Sequence, residues 1–156
     1  MVCGNDNSRS GVCKGVSMRI CGIELKSSRA LLAVVEVTDE GVNPIPMETR
    51  MIKLDDDERA DLVKSFYAAF CSFVRDNQID VVAVKKRAKS GEYAGGAVSF
   101  KMEALIQLCD EIQIMLISSQ SIAATNRREE FDLPDELKKY QIPAYLTACC
   151  HASKER

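Results

Sequence analysis

The sequence has a single histidine, and its seven cysteines form no Cys-x-x-Cys pair. A zinc site of ordinary ligand spacing is therefore not encoded, although Cys3, Cys13, Cys149, Cys150 and His151 are the residues such a site would have to gather. Long apolar runs are missing too. The longest, ALLAVVEV at 30–37 and IQIMLI at 112–117, fall far short of the roughly 20 residues that cross a bilayer, so no membrane span is expected. The opening MVCGNDNSRSGVCKGVS has no apolar core of the kind a secretory signal requires, which points away from export and to a cytoplasmic protein. Positive charge is not in excess. The formal net charge of −2 argues against attachment to a polyanion over the whole surface and leaves room only for a local basic patch. Internal repeats and low-complexity tracts are also absent.

What is present is a chain of 156 residues, 46% hydrophobic, long enough to bury about two-thirds of its unfolded surface in one domain. The odd cysteine count, with Cys21, Cys71, Cys109 and Cys149 inside apolar patterns, reads as reduced core thiols of a cytosolic protein rather than a disulfide framework. Residues 1–17 lack periodicity and are rich in Gly, Ser and Asn, so they are expected to be a disordered extension, with Met18 as an alternative start. From there RICGIEL and ALLAVVEV read as a hairpin through the polar KSS turn, with Cys21, Ile23 and Leu25 on one face. A third extended segment, about 45–54, is expected after the turn signal TDEGVNP.

The acidic run Asp55, Asp56, Asp57 and Glu58 is expected to supply negative charge and a capping side chain to a helix start, a simpler role than metal binding. Leu62, Phe66, Ala69, Phe70 and Phe73 recur at helical spacing and predict an amphipathic helix over 59–77. VVAV at 81–84 reads as a strand buried on both faces. Val98, Met102, Leu105, Ile106 and Cys109 predict a second helix, residues 114–117 a further buried strand, SSQSIAAT a serine-capped helix, and AYLTACCHA a last helix beginning beside Pro143. The resulting order, β-β-β-α-β-α-β-α with a last helix, sets three antiparallel strands beside two parallel ones.

That order, with GIELKSSRALLAVVE at the first hairpin, resembles the ribonuclease-H-like superfamily, particularly its Holliday-junction resolvase and pre-ribosomal-RNA nuclease branches. The segment VVAVKKRAKSGEYAGGAVSFKMEALIQL is more specifically similar to a bacterial family known as domain of unknown function 3010. The resemblance covers about residues 18–150. It implies an α/β fold, a ribonuclease-H-like mixed five-stranded sheet flanked by helices, as one domain over 18–156.

Such nucleases gather several carboxylates around one or two Mg²⁺ ions, which activate water and stabilise the leaving oxygen. The resemblance implies that Glu24 is the first acid, near Gly22 on the first strand. At the second acid's place, the end of VVAV, the sequence has Lys85 and Lys86, and AYLTACCHA supplies no third. The usual two-metal chemistry is therefore expected to be absent, with Glu24 either a retained site residue or the ion-pair partner of Lys85 or Lys86. Glu92 or Glu103 could replace the missing acids only by rearrangement.

The cluster Lys85, Lys86, Arg87 and Lys89, with Gly95 and Gly96 leading into a helix, could hold nucleic-acid phosphates or be a solvated basic loop whose glycines allow close helix packing. AGG alone is not a phosphate-binding fingerprint, and no aromatics interleave with the basic residues apart from Tyr93 and Phe100. Three functions follow as expectations: a nucleic-acid-binding domain with a degenerate nuclease site and no cofactor, a nuclease using Mg²⁺ or Mn²⁺ through atypical ligands, or a non-catalytic scaffold, such as a homodimer.

Overall fold

In a computed structural model the described residues are 16–91 and 96–155. The expected amino-terminal extension lies outside them except for Val16 and Ser17.

β1 (Met18–Lys26) and β2 (Arg29–Thr38) pair antiparallel from Met18↔Val37 to Lys26↔Arg29. Ser27 turns the chain with a φ of 55°. The expected third segment divides into two strands, β3 (Gly41–Ile45) and β4 (Met51–Lys53), both on the free side of β2. The turn signal is thus narrower than TDEGVNP, because Gly41, at a φ of 136°, lets pairing begin at once. Pro44 is admitted to β3 because an edge strand can spare an N–H. Residues 46–50 leave the ladder between these strands. Across that gap the Leu32 N–H donates to the Arg50 carbonyl at 2.9 Å, and the Leu32 carbonyl accepts from Gln141 Nε2 at 2.9 Å.

α1 (Ala60–Asp76) buries Phe66, Phe70 and Phe73 as its spacing requires. The expected acidic cap is not formed: the N-cap is Arg59, whose side chain makes no capping bond. Asp56 instead accepts from the Glu58 N–H at 3.0 Å, so the turn before the helix uses the nearest carboxylate locally.

β5 (Val81–Lys85) runs parallel to β1, α2 (Ala97–Gln107) follows, and β6 (Gln113–Ile117) runs parallel to β5. β6 was expected to be buried, but it closes one end of the sheet, and Gln113 and Leu116 are exposed. Having β5 on one side only removes the cover an interior strand receives. α3 (Ser119–Glu129) carries the expected serine cap, Ser118 accepting from the Ser121 N–H at 3.1 Å. A 3-10 turn at Lys139–Gln141 leads into α4 (Ile142–Glu155).

The sheet order is β3-β2-β1-β5-β6 with β4 also on β2, six strands instead of five because the edge segment is split. Strand alternation divides the core in two. Cys21, Ile23 and Leu25 pack with Phe66, Phe70, Met102 and Ile106 on one face. Ile20, Ala33, Val35, Val81 and Ala83 pack with Ala144, Ala148 and Ala152 of α4 on the other. Gly22 belongs to this second face, and α4 lies directly on its backbone.

Candidate functional site

Glu24 is the next residue after Gly22 on the α4 face of β1. The register Ile23↔Val84 places Lys85 beside it, at the carboxyl end of β5. The Lys85 ammonium lies 3.6 Å from Glu24 Oε2, with the two side chains 26% and 13% exposed. The ion pair expected as one arrangement of Glu24 is formed, and its partner is Lys85.

The other basic residues continue from the same strand end. The Lys86 N–H donates to the Ile117 carbonyl at 2.8 Å, so pairing with β6 extends one residue past β5. Lys86 thereby lies beside Ser118 and the start of α3, while its side chain is exposed, as is that of Lys89. Arg87 is half-buried, and its Nε is enclosed without a hydrogen-bond partner among the described residues. Gly95 and Glu92 lie outside the described residues. Gly96 is the N-cap of α2, and a Cβ built there would meet nothing within 4 Å among the described residues. Close helix packing does not explain that glycine, whereas at Gly22 it does.

Glu103 is buried on α2 between Met102 and Ile106, with Oε2 lacking a hydrogen-bond partner among the described residues. The only acid of α4 is Glu155, at its carboxyl end. It lies 3.7 Å from His151 and shares a surface depression with Met18 and Thr38, at the opposite end of β1 from Glu24. Burial holds the His151 imidazole below its ordinary value, outweighing the upward pull of Glu155.

Among the described residues no three His, Cys, Asp or Glu side chains come together as a metal would need, including Cys149, Cys150 and His151. A Mg²⁺ ion at Glu24 would require a near-octahedral set of oxygens at about 2.0–2.1 Å. A carboxylate that already carries an ammonium, outside any group of three ligating side chains among the described residues, does not fit that requirement. Protonated lysine offers three donors and no lone pair, so it can satisfy a carboxylate or a phosphate but cannot ligate a cation.

Two contacts between elements were not legible in the sequence. Ser118 was identified as a cap, but its placement beside Lys86 follows only from the β5–β6 register. Lys101 of α2 reaches the Asp57 carboxylate at 3.1 Å, tying α2 to the turn before α1. The general rule that open α/β sheets place ligands beyond the carboxyl ends of parallel strands would have directed attention to Ser118.

The fold is ribonuclease-H-like. It is similar to the structure of RuvC from Thermus thermophilus, with a TM-score of 0.70 and 12% identity over 89% of this chain and 96% of that one. It is similar also to T. thermophilus RuvC in complex with Holliday junction substrate, with a TM-score of 0.64 and 14% identity over 89% of this chain and 95% of that one. A search of curated protein sequences finds no match. The chain belongs to the family described as protein of unknown function (DUF3010), which it matches over residues 18–151.

Proposed function

We propose that this domain binds nucleic acid through the carboxyl end of β5 and the loop that follows, and that it does not cleave by two-metal chemistry. The observation that carries this reading is the Lys85 ammonium 3.6 Å from the Glu24 carboxylate. The cation position of a ribonuclease-H-like nuclease is here served by a tethered side-chain cation. Lys86 and Lys89 are exposed to solvent just beyond it. They suit phosphate oxygens, which fix a protein on a nucleic acid without reading its sequence. The likeness to a protein solved with a Holliday junction supports a branched DNA as the first ligand to try.

The test is binding of labelled four-way junction, duplex and single-stranded DNA by the full chain, in EDTA, across a salt series. Binding at about 50 mM salt that weakens linearly on a log–log plot is expected, and Lys86→Glu with Lys89→Glu should lower affinity about tenfold or more. No binding of any of these, or binding unaffected by the charge reversals, removes the proposal. Incubation with Mn²⁺ should leave the DNA intact. Cutting that disappears in Glu24→Gln would instead assign an active nuclease.

A further inference from the structure

All five described cysteines are buried and unbridged, but two that lie far apart in the chain, Cys71 and Cys109, bring their sulfur atoms into contact. The Sγ atoms of Cys71 on α1 and Cys109 in the connection from α2 to β6 are 3.3 Å apart. They stand at the centre of a row of contacts that clasps this connection to a single stripe of α1. One turn before Cys71, the Tyr67 hydroxyl donates to the Leu108 carbonyl at 3.3 Å. One turn after it, the Arg75 guanidinium donates to both oxygens of Glu111, at 3.2 and 3.3 Å. Residues 67, 71 and 75 recur at four-residue spacing on one helical face, so the two outer contacts fix the register that brings the thiols together.

We propose that Cys71 and Cys109 form a reversible dithiol–disulfide site, oxidised by a small hydroperoxide and restored by a low-molecular-weight thiol. A disulfide requires an S–S distance of about 2.05 Å, and closing the remaining gap of about 1.3 Å is within the reach of two χ1 adjustments. Cys71 is the more exposed of the pair, at 8% against 3%, and meets the oxidant first. Its thiolate attacks one peroxide oxygen, the O–O bond breaks, and a sulfenic acid forms as hydroxide leaves. Cys109 sulfur then attacks the Cys71 sulfur, the S–O bond breaks, and its proton and the hydroxyl depart as water. Overall the two thiols lose two hydrogens while one H₂O₂ becomes two waters. Reduction consumes two thiols, which leave as their own disulfide.

The other described cysteines provide an internal contrast. Cys21 and Cys149 are fully enclosed, and burial pushes each thiol up to about 12; burial raises the Cys109 thiol as well, so the contrast lies in the paired sulfurs and not in acidity. Cys150 is equally enclosed and is occupied with Thr125, its Sγ 3.4 Å from the hydroxyl oxygen. None of the three has a described thiol in hydrogen-bonding reach.

The decisive experiment exposes the full chain to H₂O₂ in mildly alkaline buffer, quenches, denatures, alkylates free thiols and maps the peptides. Among the five described cysteines, only Cys71 and Cys109 should resist alkylation, joined in one cross-linked peptide pair that dithiothreitol separates. The bond would close a loop from Cys71 to Cys109 enclosing β5 and α2, and the oxidised protein should melt roughly 5–10 °C higher than the reduced one. In Cys109→Ala, the Cys71 sulfenic acid should persist and be trapped by dimedone. Wild-type protein in which both residues remain alkylatable after Cys21, Cys149 or Cys150 has reacted would overturn the proposal. So would over-oxidation of Cys71 without a cross-link, because Cys109 would then have failed to resolve it. Both results are read on wild-type protein, so the conclusion does not depend on a variant folding.

Discussion

A Cβ placed on Gly22 would stand 1.9 Å from the carbonyl oxygen of Ala144 and 2.7 Å from the backbone nitrogen of Ala148. Both obstacles are backbone atoms of α4, so no side-chain rotation can make room. Gly22 therefore sets the depth at which α4 rests on the sheet, and with it the level of Glu24 one pleat along.

Gly22→Ala is expected to lower stability by about 3 kcal/mol, at the upper end for overpacking, because relief requires moving α4 as a unit. For a chain of this size that corresponds to a fall in Tm of roughly 6–12 °C, measurable by calorimetry. A loss below about 1 kcal/mol in urea titration would mean that the close contact is not maintained in solution.

Gln141→Leu is expected to cost about 1–3 kcal/mol. The carbonyl of Leu32 faces the gap where β3 gives way to β4, and Gln141 Nε2 is its partner at 2.9 Å. Leucine keeps the bulk and abandons a buried acceptor, which carries the full desolvation penalty. Hydrogen exchange should show weaker protection around the break in the edge strand, with the β1–β5 pairing unaffected.

Glu24 and Lys85 should show a coupling of about 1 kcal/mol in a double-mutant cycle with Glu24→Gln and Lys85→Met, as expected of a partly screened pair. In nucleic-acid binding Glu24→Gln should leave affinity unchanged or raise it, since a negative charge leaves the neighbourhood of the phosphates. A fall in affinity of tenfold or more on this substitution would count against the ion pair as a structural unit and in favour of a direct role for the carboxylate.

His151 should make the protein less stable in mild acid. Its side chain is only 7% exposed, and burial lowers its proton affinity from the ordinary value of 6.5, with Lys154 adding to the effect and Glu155 opposing it. Between the lowered native value and about 6.5 the unfolded chain binds the proton more readily than the native fold does. The stability gained from keeping the ring neutral is complete above about pH 6.5, declines as pH falls through that window, and levels off below the native value. His151→Gln should flatten this part of the curve in urea titrations at a series of pH values, and parallel curves for the two proteins would show that the imidazole does not contribute.

The order of helices and strands was readable from the sequence because hydrophobic periodicity is a local property. Cys21, Ile23 and Leu25 share a core as their alternation requires, and Phe66, Phe70 and Phe73 face inward at helical spacing. The resemblance to ribonuclease-H-like proteins and to the unknown-function family rested on the same contiguous segments. Readings that depended on neighbours in space fared less well. The acidic run before α1 caps nothing, β6 lies at an edge, and the edge strand is interrupted where Leu32 bonds to Arg50 and Gln141.

What the sequence alone determined is the order of the elements apart from the split of the third strand, the identity of the residues at each strand end and the scarcity of acids near the end of β5. Tertiary structure decided that Lys85 rather than Lys86 meets Glu24, that a Cβ at Gly22 would strike α4 while one at Gly96 would meet no described residue, and that Cys71 and Cys109 become neighbours. The reason is physical: periodicity is written in adjacent residues, whereas strand register and helix seating arise from hydrogen bonds and packing between segments far apart in the chain.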